Sequence, residues 1–163
     1  MFELYSNRAR QIIFLARVES GARGAETINV EDFLVSLIME DQNIRSQALL
    51  ELMGAPDPSR LPFEPHVAFL PSEVAARVIE EIQDASPRRP SISTSADMSI
   101  SPALGQVLTV ASDLQQKFQS KQVTHLHLLA AVLAGSTKGV LSLRDAGITK
   151  ETVIDAIRKE DER

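Results

Sequence analysis

The sequence predicts an all-α protein made of two copies of a four-helix unit. Three observations carry that reading. Apolar residues recur at helical spacing almost throughout; a pattern of cap, apolar face and closing glycine occurs twice in the same order; and a Ser- and Pro-rich stretch separates the two occurrences. The chain has 163 residues, 44% hydrophobic and 24% charged, which is globular composition. A chain of this size can bury roughly 68–70% of its extended surface, so it can hold a core without staples.

Ala9, Ile12, Ile13 and Ala16 lie on one face of a first helix, with Ser6 as its N-cap and Gly21 and Gly24 as stops. A second helix reads from Asn29, with Glu31 and Asp32 complementing the dipole in its first turn and Phe33, Leu34, Leu37 and Ile38 as its apolar face. A third runs from Asn43 through Ile44, Ala48 and Leu52 to a closing Gly54. Prolines 56, 58, 62, 65 and 71 forbid a long helix across the next stretch. A fourth helix begins near Pro71 or Ser72 and turns Ala75, Val78, Ile79 and Ile82 inward.

The pattern restarts after residues 85–100, whose two Pro, five Ser and one Thr mark a linker. Ser101 and Pro102 are a cap and a first helical residue, and Leu104, Val107, Leu108 and Ala111 repeat the spacing of Ala9, Ile12, Ile13 and Ala16. At the same offset Ile28 becomes Val123, and Phe33, Leu34, Leu37 and Ile38 become Leu128, Leu129, Val132 and Leu133. Gly147 stands for Gly54, and Thr149 caps a last helix with Val153, Ile154 and Ile157 inward. The expected organisation is repeat one at 1–84 with an extended proline-rich loop at 55–70, the linker at 85–100, and repeat two at 101–163.

Composition excludes several functions. No cysteine is present, so disulfides, thiolate metal sites and cysteine nucleophiles are ruled out. A net charge of −5 and the absence of Trp speak against a nucleic-acid binder. No run of apolar residues is long enough to span a membrane, and the N-terminal residues lack the cationic and apolar order of a secretory signal, so a cytoplasmic protein is expected. His125 and His127 point about 200° apart on a helix and cannot share a metal, and His66 is distant in sequence. The adjacent pairs Glu80–Glu81 and Glu40–Asp41 read as solvated acids, not as a general acid and base. No serine sits in a nucleophile elbow, and the text from Gly135 to Gly139 lacks phosphate-loop spacing. No enzyme activity, cofactor or metal is expected.

The stretches Arg8-Ala9 to Glu19-Ser20, the glycine turn at 21–24, and Ile28-Asn29-Val30-Glu31-Asp32-Phe33-Leu34 resemble the first repeat of the double Clp-N domain of Clp-type AAA+ unfoldases, of the ClpA and ClpC kind. Val123-Thr124-His125-Leu126-His127-Leu128-Leu129 and Leu143 to Ile148 resemble the same pattern more weakly. The resemblance implies two pseudo-symmetric four-helix repeats in one compact helical domain. It also implies a non-catalytic docking role, in which protein clients or adaptors are brought to an unfoldase module present in cis or in trans. Nucleic acid and membrane are not expected partners, and the isolated chain is expected to be a monomer. The alternative is a free-standing regulatory or interaction protein that binds a peptidase or another partner.

Some domains of that family use a Glu in each repeat to read arginine phosphate. Glu31 stands at that place in repeat one and Leu126 in repeat two, which argues against a two-site reader. Glu31 therefore has two readings: a charge favouring a helix N-terminus by about 0.3–1 kcal/mol, or a carboxylate that meets a cation on a partner. Phe63, Val67, Phe69 and Leu70 likewise either tuck against repeat one or cover a peptide groove between the repeats. Glu31, Asp32, Phe63 and Phe69 are the residues expected at a protein-binding surface. Arg88 and Arg89 read as a solvated linker pair.

Overall fold

The computed structural model describes residues 2–44, 67–92 and 98–161. Among them the order is α1 (Asn7–Ala22), β1 (Thr27–Ile28), α2 (Val30–Asp41), α3 (Ser72–Ala85), β2 (Ser99–Ile100), α4 (Pro102–Lys117), α5 (His125–Leu133), α6 (Lys138–Asp145) and α7 (Lys150–Asp161). The helix expected to end at Gly54 lies outside the described residues from position 45 onward, as do Phe63 and His66.

Caps fix the helix starts where short polar side chains stand. Ser6 Oγ accepts from the Ala9 N–H at 3.1 Å, Asn29 Oδ1 from Asp32 at 2.8 Å, and Ser101 Oγ from Leu104 at 3.2 Å; each such cap stabilises by about 1 kcal/mol. Gly147, at φ +86°, ends α6: its N–H donates to the Arg144 carbonyl and that of Ile148 to Leu143.

Helices α2 and α5 are buried on nearly every side, which puts them at the centre. Phe33, Leu34, Leu37 and Ile38 on α2, and Leu128, Leu129 and Leu133 on α5, are fully buried. Helices α1 and α3 pack on α2, α4 and α7 pack on α5, and α2 packs on α5. The fold is therefore all-α around one continuous core.

The repeats are also joined through backbone. Strand β1 pairs in parallel with β2, Ile28 opposite Ile100, and an isolated bridge joins Tyr5 to Val123. The Ser101 N–H donates to the Ile28 carbonyl at 3.0 Å, and the Ser6 N–H to the Val123 carbonyl at 2.9 Å. Position for position these are the same bond made twice. Each repeat offers the residue two before its second helix to the residue just before the first helix of the other. Such reciprocity is what two halves related by a two-fold axis produce.

Several sequence expectations change. The segment after α3 is docked where it is described: Arg89 N–H donates to Arg23 O at 3.0 Å and Ile92 N–H to Gly21 O at 2.8 Å. This is why Gly21 and Gly24 are glycines. A Cβ at Gly21 would lie 2.9 Å from the Ile92 carbonyl, and one at Gly24 would lie 2.5 Å from that of Pro90. Gly21 sits within the last turn of α1 instead of stopping it. Glu40 and Asp41 are buried, not solvated, because α2 is surrounded by other elements along its whole length.

Candidate functional site

The two repeats meet again where α6 begins. Gly139, in the first turn of α6, lies so close to α2 and α3 that a Cβ there would approach Ile82 to 2.7 Å and Leu34 to 2.8 Å. The Gly139 N–H points to Glu31 Oε2 at 3.4 Å, and Ser142 Oγ donates to the Glu81 carboxylate. Glu31 thus places its charge against the N-terminus of a helix in the other repeat, a favourable position for a carboxylate.

Beside this contact an open groove of about 620 Å³ runs along the seam. Val30, Glu31, Ile82 and Ala85 line it from repeat one, and Ser101, Ala103, Thr137 and Lys138 from repeat two. Its surface is mainly apolar, with Lys138 exposed at the rim. Glu31 Oε1 and Thr137 Oγ1 are buried at this seam without a hydrogen-bond partner among the described residues. An unmade bond of this kind costs about 1–3 kcal/mol.

Asp32 points away from the groove. Its carboxylate accepts from Ser20 Oγ at 2.7 Å and Arg23 Nε at 3.0 Å, and it takes a second bond from Arg23 Nη2. Arg23 also donates to the Pro87 carbonyl at 3.2 Å. The pair is nearly enclosed and ties the end of α1, the start of α2 and the segment after α3 into one corner. Helix spacing carries the reason: neighbours one apart in sequence cannot face the same way, so Glu31 and Asp32 divide between seam and interior.

Phe69 is half-buried against the core and Leu70 is buried, whereas Val67 stands out in solvent. The segment is held by Asp41, which accepts from the Phe69 N–H at 2.9 Å and the Leu70 N–H at 3.0 Å. His125 Nε2, from repeat two, lies 3.4 Å from the same carboxylate. Burial pushes the Asp41 pKa up, but hydrogen bonds from His125 and the two backbone N–H groups, with the His125 charge, bring it below the usual carboxylate range. Of the residues expected at a binding surface, then, Glu31 reaches the groove, Asp32 turns inward, Phe69 sits at the Asp41 anchor, and Phe63 lies outside the described residues. Ala103, Thr137 and Lys138 were not expected at a binding surface from sequence, and Ile82 was read only as a core residue of its helix. The small residue Gly139 after a Thr-Lys pair was the available sign of close approach.

A second pocket, about 310 Å³, lies beside Tyr5 and α4, with Pro102, Gly105 and Leu108 among its lining.

A sequence model described as the Clp repeat (R) N-terminal domain matches residues 66–160, more than half of the chain. The chain belongs to the Clp repeat N-terminal domain family. The match falls on α3 to α7, whereas the sequence resemblance was plainest in α1 and α2. No curated protein matches the chain by sequence. Solved structures share the Clp-N fold over nearly its whole length. The N-terminal domain of the caseinolytic protease associated chaperone ClpD from Arabidopsis thaliana superimposes with a TM-score of 0.64 at 17% identity, over 100% of this chain and 97% of that one. The Hsp104 N-terminal domain from Candida albicans gives 0.62 at 18% identity, over 94% and 88%. A chain from structural investigations of a malarial protein secretion system gives 0.66 at 19% identity, over 96% and 93%.

Proposed function

We propose that this Clp-N chain is a non-catalytic protein-docking domain whose inter-repeat groove takes a polypeptide segment of a substrate or adaptor for a Clp-type ATP-dependent unfoldase. The observation that carries the reading is the groove itself. It is built by both repeats, apolar along its length, and edged by Glu31 and Lys138. An extended segment offers such a crease apolar side chains for its walls and backbone N–H groups for acceptors there. The Glu31 carboxylate at the edge of the groove gives a cationic group of such a segment an electrostatic partner. The cationic partner read for Glu31 from sequence belongs to the same proposal. The family's presence in Clp and Hsp100 chaperones supports it, and soluble cytoplasmic placement is the compartment that fits such a partner.

Fluorescence anisotropy with a labelled, permanently unfolded polypeptide tests the proposal. Binding is expected, weakened at least tenfold by Ala103→Trp, which fills the groove from the exposed start of α4, and by Glu31→Ala. Failure of the wild-type chain to bind unfolded polypeptide, or equal binding by both variants, contradicts it.

A further inference from the structure

We infer, on the docking reading above, that Arg23 is the positioning residue of the groove: its guanidinium braces the segment after α3 as a preformed wall against the start of α2, and the affinity for polypeptide depends on that bracing. Repeat two builds its wall from helix starts, Ser101 and Ala103 at α4 and Thr137 and Lys138 at α6. The Ser101 cap and the close approach at Gly139 hold these in place. Repeat one offers Val30 and Glu31 at the start of α2 and Ile82 and Ala85 on α3, but its wall continues through Ser86 and Pro87, beyond the end of that helix. Pro87 is exposed and has no backbone N–H, so burial and helix bonding do little to set its place.

Arg23 sets that place. Its Nη1 donates to the Pro87 carbonyl at 3.2 Å, and its own carbonyl accepts the Arg89 N–H at 3.0 Å, so the segment is gripped at both ends of Pro87–Arg89. Nε and Nη2 meanwhile hold the Asp32 carboxylate. Asp32 follows Glu31 in the first turn of α2, so one planar group spaces Pro87 from the start of that helix, and Arg23 itself lines the groove between them. The Arg23 side chain is 11% exposed, so water competes little for these bonds. A fork with donors on several edges can do this. A lysine brings a point charge that can meet Asp32 but cannot keep a fixed spacing to a carbonyl beyond it. A wall already ordered in the free chain spares the complex the entropy of ordering it, and the difference appears as affinity.

Fluorescence anisotropy with a labelled, permanently unfolded polypeptide, on full-chain variants shown to be folded by circular dichroism, tests the bracing. Arg23→Lys is expected to weaken binding about fivefold or more relative to wild type. Arg89→Pro removes the N–H that reaches Arg23 and puts a ring carbon in its place, at an exposed position away from the Asp32 pair. It is expected to weaken binding about fivefold or more relative to Arg89→Ala, which loses the same charge and keeps the N–H. Arg23→Lys and Arg89→Pro combined should lose little more than either alone, because both release one wall. Ser20→Ala breaks another bond to Asp32 and lowers stability but touches neither Pro87 nor Arg89, and its affinity is expected to stay within about twofold of wild type. Equal binding by Arg89→Pro and Arg89→Ala overturns the inference and leaves the docking reading standing. So do fully additive losses, or a loss in Ser20→Ala equal to that in Arg23→Lys, which a merely structural corner would give. A wild-type chain that binds no polypeptide overturns both. The Arg89 pair decides the matter even if Arg23→Lys folds poorly.

Discussion

Gly24 and Gln119 occupy the same place in the two repeats, both in the left-handed region, at φ +78° and +54°. Each closes the first helix of its repeat with the same pair of backbone bonds: Gly24 to Gly21 and Ala25 to Ser20 in one, Gln119 to Gln116 and Ser120 to Gln115 in the other. This αL ending relieves the last carbonyls of the helix in both copies, but only one copy uses the residue that adopts it without strain. Gln119→Gly is expected to stabilise the chain by about 0.5–1 kcal/mol, the strain relieved less the added unfolded-state entropy. A urea denaturation midpoint that falls in the variant contradicts the shared ending.

Gly139 and Gly105 form a contrasting pair. At Gly139 a Cβ meets Ile82 and Leu34 from the other repeat below 3.0 Å, whereas at Gly105 it meets nothing within 4 Å. Gly139→Ala is therefore expected to destabilise by about 1–3 kcal/mol through overpacking of the seam. Gly105→Ala lies in the interior of α4 and is expected to stabilise by about 0.5–1 kcal/mol. Thermal melts of the two single variants should move in opposite directions.

Asp41 organises one edge of the molecule, and its replacement by Asn leaves an amide donor facing backbone donors from Phe69 and Leu70. A loss of about 1–3 kcal/mol at neutral pH follows from the unmade bonds. The pH dependence has a definite sign. The native pKa is depressed, so the carboxylate's contribution is present above the unfolded value of about 3.9 and is lost as pH falls through the native value. Between pH 5 and 3 the wild-type urea midpoint should fall more steeply than that of Asp41→Asn, and parallel curves argue against the role.

Arg23 and Asp32 are a nearly enclosed pair, and removing the cation leaves a buried carboxylate with Ser20 as its remaining side-chain donor among the described residues. Arg23→Ala is expected to cost about 3–5 kcal/mol, whereas replacing both partners costs less than the sum of the single changes. A double-mutant cycle by chemical denaturation measures the difference, and additive losses contradict a coupled pair.

Much of this architecture was legible because its signals are local. Ser6, Asn29 and Ser101 announced helix starts, Gly147 announced a helix end, and the matched apolar spacing announced a doubled unit. The reciprocal backbone exchange was not legible, since strands such as Thr27–Ile28 are too short for alternation to show. Residues 86–92 looked like a tether from composition, and only their approach to Gly21 and Gly24 reveals a docked segment. Asp41 looked like a solvated acid and Asp32 like a binding-surface one, because burial of a charge depends on partners that local spacing does not show, Leu70 and His125 for Asp41 and Ser20 and Arg23 for Asp32. The groove was half legible. Glu31 could be named from its motif, but Ile82, Ala103 and Lys138 join it only through the packing of α3, α4 and α6.

The most direct measurement is an amide NMR titration of the isotope-labelled chain with an unlabelled unfolded polypeptide. Saturable shifts are expected on Val30, Glu31, Ile82, Ala85, Ala103 and Lys138, from both repeats at once. Shifts confined to the pocket beside Tyr5 and Gly105, or no shifts at saturating polypeptide, contradict it.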